Sequence, residues 1–148
     1  MVGEIPSAVL FACTFNAVRS PMAEGLLRSR LGRRVHVESI GVREGTLDLF
    51  AVQVMDEIGI DISRHAPRTF PDLEDESFDL IISLSPEAHH QAVELTRMMA
   101  CDVVFWNTFD PTLVEGSREA RLSAYRQVRD QLAARIEARF PIGDMGSL

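Results

Sequence analysis

A cysteine, an arginine and a serine lie close enough in the sequence to surround one phosphate group. Cys13 is followed six residues later by Arg19, and Ser20 comes next. A cysteine thiolate is a strong nucleophile, and the planar fork of an arginine can hold two phosphate oxygens at once. The Ser20 hydroxyl could hydrogen-bond the Cys13 sulfur and stabilise it as a leaving group. The spacing therefore predicts attack by a thiolate on a bound phosphate.

The flanking elements would place this loop at the start of a helix. The apolar run 8–12 predicts a buried strand, and residues 21–31 have apolar side chains at helical spacing, with Pro21 in the first turn. The amino end of a helix offers unpaired N–H groups and a positive dipole end, which favour both a phosphate and a thiolate. The candidate phosphate-binding residues are Thr14, Phe15, Asn16, Ala17, Val18, Arg19 and Ser20.

The cysteine–arginine spacing is weak evidence by itself. All 15 basic residues of the chain are arginines, so an arginine six positions after a cysteine also arises by chance. In that alternative, Cys13 is a buried residue at a strand end and Arg19 is a surface residue. The position of the loop, between a buried strand and a helix with proline in its first turn, favours the phosphate-binding interpretation.

The rest of the chain alternates predicted strands and helices. Further strands are predicted over residues 35–40, 78–84 and 102–106, and helices over 47–58, 86–99 and a final amphipathic stretch that ends near 140. This alternation indicates a parallel sheet covered on both faces by helices. Such sheets bind ligands beyond the carboxyl ends of their strands, where the loop after the first strand would lie.

The composition is that of a soluble globular protein, with 46% hydrophobic and 25% charged residues. We expect one domain over residues 1–148, with a frayed tail at about 143–148. A formal net charge of −7 gives no reason to expect binding to nucleic acid or to a membrane. Two cysteines do not form a disulfide framework, and neither a signal peptide nor an apolar span is recognisable, so we expect a cytoplasmic protein.

Several segments of the chain resemble a known family. Residues 9–24, VLFACTFNAVRSPMAE, look like the signature of the low-molecular-weight protein-tyrosine phosphatases, whose superfamily includes the thioredoxin-type arsenate reductases. Three more segments are similar to the family: residues 39–41, residues 59–65 and the pair Asp110-Pro111. The resemblance implies a three-layer αβα fold with a four-stranded parallel sheet in the order 2-1-3-4.

The resemblance also implies a mechanism. Cys13 would attack phosphorus and form a phospho-cysteine, Asp110 would act first as general acid and then as base, and Arg19 would hold the phosphate. Asn16 would connect the loop to Ser39 and His65. No metal and no cofactor would be needed. Without the upstream loop, Asp110 would be an ordinary turn residue before proline. For His65, a satisfied surface histidine is an open alternative.

Three departures leave the substrate open. Phe15 stands where the family most often has glycine, Val18 where many members have a second cysteine, and Thr112-Leu113 where tyrosine-specific members often have aromatic residues. The prediction is therefore a phosphomonoesterase acting on a phosphorylated protein, with phosphotyrosine as the expected residue, or on a small phosphomonoester. The oligomeric state is left open.

Two alternatives stay open. The first is an arsenate reductase that uses an external thiol, since residues 83–90 contain no cysteine that could resolve an oxidised Cys13. The second is a phosphate-binding module without turnover. Adjacent histidines on a helix point about 100° apart, so His89 and His90 are predicted to be solvated rather than metal ligands.

Overall fold

Four parallel strands form one sheet in the order β2-β1-β3-β4 in the computed structural model, which describes residues 5–74 and 77–142. The strands are β1 (Ala8–Cys13), β2 (His36–Gly41), β3 (Leu80–Ser83) and β4 (Asp102–Phe105). The expected α/β fold and strand order are confirmed. The expected tail at 143–148 lies outside the described residues.

Four helices cover the sheet: α1 (Arg19–Leu31), α2 (Leu49–Asp56), α3 (Pro86–Leu95) and α4 (Arg118–Arg139). Side-chain caps start three of them, since Asp48, Ser85 and Ser117 each accept a hydrogen bond from a backbone N–H of the first turn. The start of α1 has no such cap. Its amino end is the one that faces the Cys13 loop. None of the described helices is long and apolar enough to cross a membrane.

The buried strand β1 contributes to two cores because its side chains alternate between the faces of the sheet. Val9, Phe11 and Cys13 face the core covered by α1, α2 and α4. Leu10 and its neighbours Ala8 and Ala12 face the smaller core under α3. A strand buried on both faces reads as a continuous apolar run, which is why β1 was recognisable from sequence.

Several element boundaries differ from the sequence-based predictions. α3 ends at Leu95, four residues earlier than predicted, α2 is limited to 49–56, and β3 is limited to 80–83. β4 lies at the sheet edge, as the implied strand order places it, but its Val104 and Phe105 are exposed, where we predicted a sheet covered on both faces. His89 is half-buried, where we predicted a solvated side chain. It bonds the Ser83 hydroxyl at 2.8 Å and stacks on Phe105.

The loops that follow β1, β3 and β4 lie close together at the carboxyl ends of the strands. Leu84 N–H donates to the Ala12 carbonyl at 2.8 Å, which holds the end of β3 beside the end of β1. Thr108 N–H donates to the Leu84 carbonyl at 3.0 Å, which brings the loop after β4 to the same edge. The Cys13 loop and the segment that leads to Asp110 are therefore neighbours, although about 95 residues separate them.

Candidate active site

Cys13 lies at the end of β1 and points into the loop that follows it. Its Sγ is 2.9 Å from the Ser20 hydroxyl and 3.3 Å from the backbone N–H of Asn16. The thiol side chain is 1% exposed, so it forms the floor of a cleft rather than part of the open surface. The Asn16 N–H donates to the sulfur, and the Ser20 hydroxyl is within hydrogen-bond distance of it, so both groups can stabilise the sulfur as a leaving group.

The loop turns its carbonyls outward because a strap formed by residues 42–48 takes them as acceptors. Val42 and Arg43 donate their N–H groups to the carbonyls of Cys13 and Thr14, at 3.1 and 2.8 Å. Asp48 N–H donates to the Ala17 carbonyl at 3.1 Å.

Within the described parts of the chain, the N–H groups of Phe15, Ala17 and Val18 have no hydrogen-bond acceptor. These donors lie beside the uncapped start of α1. Unpaired N–H groups at a helix amino end form a site for a phosphate-like anion.

Asn16 gives the loop its shape through a left-handed backbone, with φ at 57°. Asparagine adopts this conformation more readily than most residues. Its side-chain N–H₂ donates to the hydroxyls of Ser20 and Ser39, at 2.8 and 2.9 Å. The fully buried amide therefore fixes the serine that contacts Cys13.

His65 and the backbone of Arg68 bind the other end of the Asn16 side chain. His65 Nε2 and Arg68 N–H both donate to Asn16 Oδ1 at 2.9 Å. Glu24 accepts from the Ser39 hydroxyl at 2.5 Å and lies 3.8 Å from His65 Nδ1. Burial lowers the pKa of His65, an effect that Glu24 partly opposes. The hydrogen bond to Asn16 Oδ1 requires a hydrogen on Nε2 of His65.

Arg19 is the first residue of α1, and its buried guanidinium reaches across the mouth of the loop. Nη1 donates to the backbone carbonyl of Thr108 at 3.0 Å, and Nη2 to Thr14 Oγ1 at 3.4 Å. Thr14 Oγ1 in turn donates to Ser85 Oγ at 3.1 Å. These contacts hold the guanidinium in one orientation, with N–H donors left for a ligand.

Asp110 approaches this guanidinium from the loop after β4. Its Oδ1 accepts from the N–H and the hydroxyl of Thr112, at 3.0 and 2.7 Å, and this capping fixes the carboxylate at the start of a short 3₁₀ turn. Its Oδ2 is 3.9 Å from Arg19 Nη2. Asp110 and Arg19 line the same cleft of about 310 Å³ as Cys13. A carboxyl group placed there can give a proton to a group bound at the loop, and its carboxylate form can take one.

Most of the chain matches a known protein family. The sequence profile of the low molecular weight phosphotyrosine protein phosphatases matches residues 8–140. The chain belongs to this family. An arsenate reductase of Halalkalibacterium halodurans is 34% identical over 129 residues, which are 87% of this chain and 91% of that protein.

Solved structures show the same fold. The low molecular weight protein tyrosine phosphatase of T. tengcongensis is 25% identical, with a TM-score of 0.74 and coverage of 96% of this chain and 99% of that one. The YwlE arginine phosphatase is 26% identical, with a TM-score of 0.72 and coverage of 88% of this chain and 91% of that one. A mutant of YwlE from Bacillus subtilis is a further structural neighbour. These relatives are therefore named for three different activities: arsenate reduction and the dephosphorylation of tyrosine and of arginine.

The low molecular weight phosphatase fold of this chain brings the predicted residues together. Cys13, Arg19 and Asp110 line one cleft, and Ser39 and His65 reach the loop through Asn16. Their functional roles stay predictions. In the parts of the chain that the structure describes, no three His, Cys, Asp or Glu side chains are grouped closely enough to hold a metal ion.

A larger cavity of about 630 Å³ is lined by His65 and by residues of α1 and of the segment after α2. Of its three arginines, Arg28 pairs with Glu24 and Arg68 with Glu38, whereas Arg64 has no ion pair within the described residues. The electrostatic features that suit a phosphate are concentrated in the smaller cleft.

Sequence reasoning missed two contributors to the site. Glu24 closes the Ser39–His65 network, and its place one helical turn after Ser20 was a usable signal, because residues four apart share a helix face. The Thr108 carbonyl that orients Arg19 gave no signal, because a backbone acceptor is independent of side-chain type.

Proposed function

We propose that this protein is a phosphatase that hydrolyses a phosphomonoester through a phospho-cysteine. One observation carries the proposal: a thiol, a fixed guanidinium and a carboxylate line the same cleft. A module that only bound phosphate would need the loop and Arg19, but neither a nucleophile nor an acid.

In the first step, the Cys13 thiolate attacks phosphorus and the S–P bond forms as the bond to the leaving oxygen breaks. Asp110 gives that oxygen its proton, so the alcohol or phenol departs uncharged. Arg19 and the loop N–H groups carry the charge of the equatorial oxygens. The Ser20 hydroxyl is held by Asn16 and is placed to donate to the sulfur.

In the second step, water attacks phosphorus and the S–P bond breaks. Asp110, now a carboxylate, takes the proton of the water. The sulfur leaves as a thiolate, stabilised by Ser20 and by the Asn16 N–H. Inorganic phosphate and the starting protonation states result, so the cycle needs no other reactant than water.

The second candidate is arsenate reduction, which the names of several relatives favour; one from Synechocystis is a glutaredoxin arsenate reductase, 30% identical over 131 residues. That reaction needs a thiol to accept the oxidising equivalent from Cys13. The chain offers only Cys101, because Val18 occupies the neighbouring loop position.

Cys101 lies at the opposite end of the parallel strands from Cys13. It precedes Asp102, which is level with Leu80 and Val9 in the strand register and lies at the amino ends of the strands. Cys13 is the last residue of β1 and lies at the carboxyl ends. The two residues are thus roughly 16 Å apart along the strands and about 10 Å across them. A disulfide needs a Cα separation below about 7 Å. Burial also raises the pKa of the Cys101 thiol, and Asp102 adds to that shift. An external thiol would be required.

One experiment separates the two reactions: hydrolysis of p-nitrophenyl phosphate and thiol-dependent arsenate reduction, measured on the same preparation. We expect hydrolysis, and we expect Cys13→Ser to abolish it while vanadate still binds, because the loop donors remain. Cys101→Ser is the matched control and should keep both properties. Arsenate turnover without phosphate hydrolysis would replace the phosphatase proposal with the reductase.

A further inference from the structure

The cleft around Cys13 is lined in part by residues that have no role in the proposed reaction with phosphate. Phe15 lines it with a side chain that is 44% exposed, and it is the sole aromatic residue among the described residues that line the cleft. The cleft of about 310 Å³ exceeds what a phosphate group alone would fill. The group that carries the phosphate must therefore lie against these walls.

Phe15 is held in place by Gly45 of the strap. A Cβ at Gly45 would come within 2.9 Å of both the Cβ and the carbonyl oxygen of Phe15, so the strap can approach this closely because residue 45 is glycine. The Cβ and the backbone of Phe15 thus pack against Gly45, and its partly exposed side chain lines the cleft. An exposed aromatic side chain favours contact with a flat or apolar group.

Glu44, the residue before Gly45, supplies negative charge to the same cleft. Asp48 also lines the cleft, but its carboxylate is occupied by the N–H of Phe50 at 2.8 Å and the hydroxyl of Tyr125 at 2.7 Å. Within the described part of the chain, the Glu44 carboxylate has no hydrogen-bond or ion-pair partner.

Arg19 is the single cationic residue among those lining the cleft, and it faces the phosphate position. The wall beside the phosphate site is therefore acidic. A cation on the substrate would meet little competition there from the protein's own side chains.

We infer that Phe15 and Glu44 form the subsite for the group that carries the phosphate, and that this subsite selects a phosphorylated side chain with a basic residue next to it. The inference rests on the proposed function. The apolar part of the phosphorylated residue packs on Phe15, and the neighbouring arginine or lysine of the substrate pairs with Glu44. Acidic neighbours are repelled by Glu44 and Asp48.

Binding to the Cys13→Ser protein tests the inference without depending on turnover. The probes are phosphotyrosyl peptides that differ at one neighbouring position, with Arg, Gln or Glu there, titrated by calorimetry. We expect the Arg peptide to bind about fivefold more tightly than the Gln peptide, the effect of one partly exposed ion pair. Adding Glu44→Gln should remove this preference, and raising the salt concentration should reduce it.

Two matched controls guard against general effects. Glu137→Gln removes the same charge from the distant surface of α4 and should leave the Arg preference intact. Phe15→Leu should weaken all three peptides about fivefold, whereas Phe105→Leu, a change at an aromatic residue of similar exposure outside the cleft, should not.

Equal binding of the Arg and Gln peptides, or an unchanged preference after Glu44→Gln, would overturn the subsite. Failure of the unmodified protein to hydrolyse p-nitrophenyl phosphate is a separate result, and it would count against the phosphatase proposal alone.

Discussion

His65 Nε2 donates a hydrogen bond to the side-chain carbonyl of Asn16, 49 positions earlier in the sequence, at 2.9 Å. The direction of the bond is fixed, because the same oxygen also accepts from the backbone N–H of Arg68 and an amide oxygen cannot donate. The amide nitrogen of Asn16 then points to Ser20 and Ser39. The phosphate loop is thereby tied to β2 and to the segment after α2.

Replacing Asn16 should destabilise the protein, because its buried side chain makes four hydrogen bonds. Asn16→Ala leaves the Nε2–H of His65 and the N–H of Arg68 without an acceptor, removes the donor to the Ser39 hydroxyl, and places alanine at φ 57°. We expect a loss of about 3 kcal/mol in the free energy of unfolding. Asn16→Gly removes the same bonds but tolerates the backbone, so it should be less destabilising by about 1 kcal/mol.

Urea unfolding of both variants, with Asn107→Ala as the exposed-asparagine control, measures these differences. The control should change stability by less than about 0.5 kcal/mol. If Asn16→Ala proved as mild as the control, the network would not hold the loop.

His65 should make the protein less stable in mild acid. Burial lowers its pKa below the ordinary value of 6.5, and Arg68 and Arg28 act in the same direction while Glu24 opposes them. The unfolded chain then binds the proton more readily, so the contribution of His65 is complete above about pH 6.5 and declines as the pH falls below it.

The difference in unfolding free energy between the parent and His65→Gln, measured from pH 8 to 5, reports this contribution. The advantage of the parent should shrink as the pH falls below about 6.5, and an NMR titration should place the imidazole pKa below that value. An advantage that grew on acidification would mean that the attraction between the imidazolium and Glu24 outweighs burial.

Asp110→Asn should reduce the turnover of phosphate esters by roughly 10²–10⁴-fold, the usual contribution of a positioned acid. The loss should be smaller for leaving groups that depart without a proton, such as p-nitrophenol, than for simple alkyl alcohols. Asp56→Asn, a change at an exposed aspartate at the end of α2, is the control for charge and should keep the parent rate. Equal losses for all leaving groups would assign Asp110 to binding instead.

Prediction from sequence succeeded where local pattern and tertiary structure agree. The buried run of β1, the proline in the first turn of α1 and the cap at Ser85 are local signals, and each lies where expected. The strand order came from the resemblance to the family, since no pattern within a strand specifies its neighbours. The pairing of His65 with Asn16 came from the same source.

The incorrect predictions, at the end of α3, in the exposure of β4 and in the burial of His89, all depend on tertiary packing that local sequence patterns do not specify. The apolar Met98 and Met99 extended the helical pattern of α3, but Met98 is 81% exposed and has no surface to pack against, so the helix ends at Leu95. The implied strand order already placed β4 at the edge of the sheet, but its apolar sequence did not indicate that Val104 and Phe105 are exposed. The burial of His89 depends on Phe105 at that edge, which is a tertiary contact that spacing cannot predict.

Cys101→Ala separates the phosphatase from a reductase that passes oxidising equivalents within the chain. Cys101 is half-buried before β4, and its Sγ is 4.0 Å from the sulfur of Met99. The strand register places Cys101 at the opposite end of the strands from Cys13. Hydrolysis of aryl phosphates by Cys101→Ala should therefore stay within about twofold of the parent rate. Any arsenate reduction supported by an external thiol should be equally unaffected, and mass spectrometry of the oxidised parent protein should find no Cys13–Cys101 peptide. Loss of arsenate turnover with phosphate hydrolysis preserved would instead show that the sheet edge opens far enough for the two sulfurs to meet. A parallel loss of both activities, accompanied by a lower melting temperature, would assign Cys101 to packing in the smaller core.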